Sequence, residues 1–214
     1  MGNTAVIIGA TGVVGRVIVN EILSGEYYDR IYILGRSSIT KLPDDSRLEK
    51  IIIDFENIDF DMNILENADV FSSLGTTIKI AGSKENQRKI DVDYTVNFAK
   101  LCEGKIRSFN VVSAMGASSK SKNFYTSFKG ELEDKLKELG HKHFELLHGK
   151  EYFKSNSFEA SEIFIKDVHE TLSKMTVQEI LKMRDESRIK AFANNNNRNT
   201  KETIKILTKL RNGE

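Results

Sequence analysis

A doubly wound α/β fold on a parallel sheet is the class this sequence predicts, on three observations. Short runs rich in Val and Ile alternate with longer segments of helical period, the rhythm of βα units. The runs are apolar at nearly every position rather than at every second one, as strands buried on both faces are. A glycine-spaced turn, Gly9, Gly12 and Gly15, falls between the first run and the first helical segment, where such folds hold their ligands.

The elements follow in order. "TAVIIG" (4–9) reads as the first strand and "VVGRVIVNEIL" (13–23) as its helix. "RIYILGR" (30–36) is a second strand, followed by a polar loop holding the only proline, Pro43. "EKIIIDF" (49–55) and "ADVFSSLG" (68–75) are strands three and four. A long helix is expected over 83–104, a fifth strand in "SFNVVSAMG" (108–116), a helix in "KSKNFYTSFKGELEDKL" (120–136) and a sixth strand in "KHFELLHG" (142–149). Past residue 150 the pattern weakens. "SEIFIKDVHETLSKM" and "TVQEILKM" look helical, "SRIKAFA" reads as a short strand, and "TKETIKILTKL" closes the chain as a helix. The Asn-rich run 194–199 reads as a solvated turn. The expectation is one domain over 1–214: a dinucleotide-binding core at 1–148 and a short, divergent substrate-side extension at 149–214.

Composition narrows the function. The chain has 214 residues, 39% hydrophobic and 29% charged, ordinary for a globular domain with a substantial core. A formal net charge of +1 gives no basic excess for nucleic acid, and that class is set aside. Cys102 is the only cysteine, so there is no disulfide framework and no cysteine zinc site. No apolar run is long enough to span a bilayer. The first strand starts too early to leave room for a signal or transit peptide, and Val6 stands where a myristoylation motif wants Ser or Thr. A cytoplasmic protein with no integral membrane segment is expected.

The glycine turn carries the first chemistry. Gly9 allows a tight turn off the strand, Gly12 lets backbone amides approach a pyrophosphate, and Gly15 permits close packing of helix on sheet. With Thr11, Val13, Val14 and Arg16 they form a cradle at a helix N-terminus, whose free N–H groups and dipole favour an anion. The end of the second strand selects the dinucleotide. An acidic residue there would suit the ribose 2′-OH of NAD; this chain has Arg36, which suits the 2′-phosphate of NADP, with Arg16 as a second positive charge. NADP is the expected cofactor, with NAD as the alternative. Asp54 either accepts from the adenine amino group or closes a loop. Leu74 and Gly75 let backbone pass under the adenosine ribose, and Thr76 and Thr77 either bond the cofactor or end the strand.

The second site joins Ser113, at the end of the fifth strand, to Tyr125 and Lys129 on the following helix. Taken with "IGATGVVGR", "LGR", "SSLGTTIKIAGSKENQRKIDVDYTVNFAK" and "VVSAMGASSKSKNFYTSFKGELEDKLKELG" in that order, the chain resembles the short-chain dehydrogenase/reductase superfamily. Within it the match is to the atypical group that includes the human Tat-interacting metastasis-suppressor oxidoreductase and its fungal mitochondrial-associated relatives, over residues 4 to about 147. The resemblance implies an NADP(H)-dependent oxidoreductase on a Rossmann fold, acting on a small carbonyl or alcohol. It implies Tyr125 as proton donor or acceptor, Lys129 as its support and the holder of the nicotinamide ribose, and Ser113 as the group bonding the substrate oxygen. By resemblance alone, a peripheral place on the mitochondrial outer membrane is the alternative location. A phenol's ordinary pKa of about 10 is high for a base near neutrality, and an adjacent ammonium lowers it. Ser118 and Ser119 are alternatives to Ser113. A partner-binding or redox-sensing dinucleotide module without turnover is the alternative function.

Several positions depart from the family. Asp91 stands where many members carry a catalytic Asn, and "ELLHGKEYF" replaces the usual Arg-Pro-Gly after the sixth strand. No metal site is expected, since His141 and His143 have no third ligand near in sequence. Cys102, late in a helix, reads as a small buried residue. "KGELEDKLKELG" reads as a solvated helix face laced by the i,i+4 pairs Glu131–Lys135 and Glu133–Lys137.

Overall fold

A computed structural model of the chain describes residues 2–114, 116–140, 144–148 and 151–152. The two helices, strand, turn and closing helix read after residue 150 lie outside them, as do His141 and His143. The described residues hold seven strands in one sheet, in the order β3-β2-β1-β4-β5-β6-β7. They are β1 (Thr4–Ile8), β2 (Arg30–Gly35), β3 (Leu48–Ile52), β4 (Asp69–Ser72), β5 (Ser108–Val112), β6 (Phe144–His148) and β7 (Glu151–Tyr152). All neighbours pair parallel except β6 with β7. The helices are α1 (Val13–Ser24), α2 (Ile78–Ala81), α3 (Lys84–Arg88), α4 (Tyr94–Leu101) and α5 (Phe124–Glu138). This is the doubly wound order, with its switch point between β1 and β4, where the chain first leaves one half of the sheet for the other.

Burial follows the all-apolar runs. Every residue of β1 and of β4 is buried, and Ile7 of β1 stands between Ile33 of β2 and Phe71 of β4. On one face Val6, Ile8, Leu34 and Val70 meet Phe98 of α4 and Leu132 and Leu136 of α5. At the edge, β3 is only partly covered and Ile52 is exposed. The strands stop earlier than the apolar pattern suggests. β3 ends at Ile52 rather than 55, β4 at Ser72 rather than 75, and β5 at Val112 rather than 116. Past β3 and β4 one further backbone bond reaches the neighbouring strand, from the Ile53 N–H to the Gly35 carbonyl at 2.9 Å and from the Ser73 N–H to the Ile8 carbonyl at 3.0 Å, before the chain turns over the carboxyl edge. β7 was not foreseen; its two residues carry too little pattern to be read.

The long helix is not uniform. Between α3 and α4 the backbone opens into a π turn at Lys89–Asp93. Such turns fit one extra residue into a helix and re-aim the side chains around it.

Candidate active site at the carboxyl edge of the sheet

The cradle forms as its glycines require. Gly9 has φ +81°, and a Cβ there would stand 2.5 Å from the carbonyl carbon of Ser73, so both the turn and the contact demand glycine. A Cβ on Gly15 would stand 2.3 Å from the carbonyl oxygen of Gly9. Gly12 is different: its φ of −70° is open to any residue, so its backbone conformation does not demand glycine. α1 starts with no side-chain cap and no acidic residue in its first turn. The Arg16 side chain folds back on the loop, donating from Nε to the Thr11 carbonyl at 3.3 Å. Ser73, which the sequence reading passed over, fastens the cradle to β4: its N–H reaches the Ile8 carbonyl at 3.0 Å and its hydroxyl the Gly9 carbonyl at 3.1 Å.

Arg36 is exposed immediately after β2. Asp54 lies past the end of β3, and its carboxylate caps its own turn by accepting the Glu56 N–H at 3.0 Å. Of the two roles left open for Asp54, the loop-closing one is occupied in the structure. Thr77 leaves its hydroxyl oxygen buried without a partner among the described residues.

Lys129 reaches the same edge from α5. It is 3% exposed, and its ammonium donates to the carbonyls of Val112 at 3.0 Å and Leu74 at 3.5 Å. Leu74 also presents its N–H side to Gly9. One residue of the β4 loop therefore touches both the cradle and the lysine. Gly130, next on α5, seats the helix against the loop before it, since a Cβ there would stand 2.1 Å from the carbonyl carbon of Ser118. Asn123 caps α5, accepting the Tyr125 N–H at 2.9 Å.

Two expectations are corrected. No hydrogen bond joins Tyr125 to Lys129 or to Ser113 among the described residues. Burial first, and then the Asp91 carboxylate, hold the Tyr125 phenol above its ordinary value rather than below it. The ammonium that was to lower it points instead to backbone carbonyls. Ser113, 7% exposed, hydrogen-bonds Glu133 of α5. The second half of α5 is thus not simply a solvated face. Glu131–Lys135 and Glu133–Lys137 do pair, at 3.0 and 3.9 Å, but Glu133 is itself buried. Glu131 also bridges to Arg88 of α3, which holds Asp93 at 2.8 Å.

The residue that completes the site is Asp91. Set in the π turn and fully buried, it accepts the Thr76 N–H at 2.6 Å. Gln87, one turn earlier, donates to the Thr76 carbonyl at 3.3 Å, so the two side chains clasp one residue of the β4 loop. Burial raises the Asp91 carboxyl above its usual range, and Lys129, the Thr76 N–H and Gln87 pull it back. Burial likewise depresses Lys129, against the pull of Asp91 and Glu133. Cys102 is fully buried at the end of α4, and burial pushes its thiol up, so it behaves as an inert core residue.

No family model matches the chain. Among curated proteins, HTATIP2 of Rattus norvegicus is 34% identical over 136 residues, covering 62% of this chain and 56% of that protein. The mitochondrial protein FMP52 of Eremothecium gossypii is 32% identical over 134 residues, covering 62% and 58%. The chain is a relative of the atypical short-chain dehydrogenase/reductases. It spans less than two thirds of the length of those curated relatives. Among solved structures, the Bordetella bronchiseptica enzyme WbmH in complex with NAD+ shares the fold at TM-score 0.55 and 14% identity, over 69% of this chain and 56% of that one.

Proposed function

We propose that the chain is an NADP(H)-dependent oxidoreductase that interconverts a small carbonyl and its alcohol. One observation carries this: through Leu74, the buried Lys129 and the glycine cradle meet at the carboxyl edge of the sheet, at its switch point. Several features suit a dinucleotide. Gly12 has no conformational need to be glycine, the first turn of α1 is uncapped, and Thr77 keeps an unpartnered buried hydroxyl. The solved neighbour WbmH was captured with NAD+. Gly9, Thr11, Gly12, Val13, Val14, Gly15 and Arg16 would hold the pyrophosphate, Arg36 the 2′-phosphate, and Leu74, Gly75 and Thr76 the adenosine side. Asp54, past the end of β3 at the same edge, would accept from the adenine amino group.

A bound nicotinamide dinucleotide supplies or accepts the hydride. In the reducing direction Tyr125 donates its phenolic proton to the carbonyl oxygen, and Lys129 stabilises the phenolate left behind once its ammonium turns from the Val112 and Leu74 carbonyls. Ser113 orients the carbonyl once its hydroxyl turns from Glu133. The Ser113–Glu133 contact specifically favours a second reading, a dinucleotide-binding module without turnover. A panel of small carbonyls followed by NADPH absorbance separates the two. Turnover that falls at least ~100-fold in Tyr125→Phe supports the reductase; tight NADPH binding with no turnover on any carbonyl overturns it. Arg36→Ala should weaken NADPH about tenfold more than NADH, and equal losses would overturn the NADP preference.

Among the described residues no helix is long and apolar enough to cross a membrane. Placement in the cytoplasm is part of this reading. The FMP52 relatives are named mitochondrial, and fractionation of the tagged chain distinguishes the two locations.

A further inference from the structure

We propose that Tyr94 and Lys89 are positioning residues for base selection at the adenine end of the cofactor: together they anchor the Glu56 side chain, and through the Glu56 N–H they fix the Asp54 carboxylate that distinguishes adenine from other bases.

The contacts form a chain from helix to base. Asp54 to Asn57 is a tight turn, closed by the Asn57 N–H on the Asp54 carbonyl at 3.2 Å. It begins beside Arg36, because the Ile53 N–H just before it donates to the Gly35 carbonyl at 2.9 Å. Inside the turn Asp54 Oδ1 accepts the Glu56 N–H at 3.0 Å, which sets the plane of the carboxylate and leaves Oδ2 to meet an amino group. The Glu56 side chain reaches across to the helical segment. Tyr94, the first residue of α4, donates its hydroxyl to Glu56 Oε1, and Lys89, at the start of the π turn, pairs with the same oxygen at 2.6 Å. The Tyr94 ring stacks on Phe55, with centroids 5.4 Å apart and planes 17° apart, and Phe55 is itself buried. Tyr94 thus holds two successive residues of the turn, one by its face and one by its hydroxyl.

An ion pair as exposed as Lys89–Glu56 adds little to global stability. Its effect is local, because the turn hangs from β3, the partly covered edge strand. Lys89 first, and then Tyr94, hold the Glu56 carboxyl below its ordinary value, so it is ionised and accepts from both. Burial first, and then Glu56, push the Tyr94 phenol up to about 12, so it stays a donor. Adenine presents an amino group to a carboxylate, whereas hypoxanthine presents an oxygen that the carboxylate repels. Discrimination between the two bases therefore reports how firmly Asp54 is aimed.

This rests on the reading of Asp54 as the acceptor for adenine. The test is a binding titration of the full chain with NADPH and with its hypoxanthine analogue, followed by nicotinamide fluorescence. The wild type should favour NADPH by about tenfold. Lys89→Met combined with Tyr94→Phe should cut that preference about threefold or more by weakening NADPH alone, with the affinity for the analogue unchanged. Glu56→Gln, which keeps an acceptor oxygen, should retain more of the preference than Glu56→Ala. A preference equal to wild type in the double variant overturns the positioning role and leaves the cofactor reading standing, and so does an equal loss of affinity for both nucleotides. A wild type that binds both nucleotides equally overturns the role of Asp54 and the proposal with it; one that binds neither sinks the dinucleotide reading as well. Should the double variant not fold, Glu56→Ala decides on the same ratio, since it removes both anchors and keeps the backbone N–H.

Discussion

Asp69 and Asp91 are both buried carboxylates, at opposite ends of the same sheet, and each faces a cation from another element. Their surroundings differ. Asp69, at the amino end of β4, accepts from Tyr28 at 2.9 Å, from Arg107 Nε at 2.9 Å and from Ser108 at 2.6 Å, with a second Arg107 nitrogen on its other oxygen. Arg107 goes on to Asn3 at 2.9 Å, and Ser108 accepts from Asn110 at 3.0 Å. Burial and then Asp69 push the Tyr28 phenol far above its ordinary range, which leaves it a fixed donor. At the carboxyl end Asp91 has one short hydrogen bond, from a peptide N–H, and its cation is aimed at carbonyls instead. A polar cluster dense in hydrogen bonds rigidifies a fold; one whose charges are shifted and whose bonds are incomplete can do chemistry.

The largest effect that tests this contrast is on stability. Asp69→Asn should cost about 2 kcal/mol in urea unfolding, because it removes the carboxylate that Tyr28, Ser108 and Arg107 all donate to. A loss under ~1 kcal/mol would mean the amino-end cluster is not the lock described. Removing both charges at the other end should act in the opposite direction. Asp91→Asn combined with Lys129→Met removes both buried charges together and should leave stability equal or raised by about 1 kcal/mol. A clear loss there would erase the distinction between the two ends.

The smallest effect is in the pH dependence of that double variant. Asp91 sits above its unfolded value, so its contribution favours folding below the ordinary carboxylate value of about 4 and is lost as pH rises through the raised one. Lys129 sits below its unfolded value, so folding gains as pH climbs from the depressed value toward about 10.4. The stability difference between double variant and wild type should therefore be widest near neutrality and narrow on both sides. A difference constant with pH would show that neither group is shifted.

Much of this was legible in the sequence. The βα rhythm fixes the sheet because apolar runs at full density have few other ways to be buried, and the glycine spacing marks the cradle because Gly9 and Gly15 touch backbone. The corrections have physical causes. Strand ends were set too late because single backbone bonds to the neighbouring strand outlast the regular ladder at Ile53 and Ser73. Glu133 was read as solvated from its charged neighbours. Yet Lys129, Leu132, Glu133 and Leu136 share one buried face at i, i+3, i+4 and i+7, a signal the sequence did contain. Asp91 was visible only as a departure from its family, since nothing in "KIDVD" announces that the helix opens there. The Asp69 cluster was missed because its members are scattered from Asn3 to Asn110.

The π turn has a consequence in terms of chain length. It exists because the helix between Ser83 and Cys102 holds one residue more than regular winding accommodates. Deleting a single residue from 89–93 would let the helix close into regular α geometry with its two halves facing as they do now, while the side chains within the segment change direction. The carboxylate at 91 would then lose its place against the Thr76 N–H while Gln87, α4 and the sheet kept theirs. The arrangement around Lys129 is thus written partly in a count of residues, and a one-codon deletion would erase it where many substitutions would not.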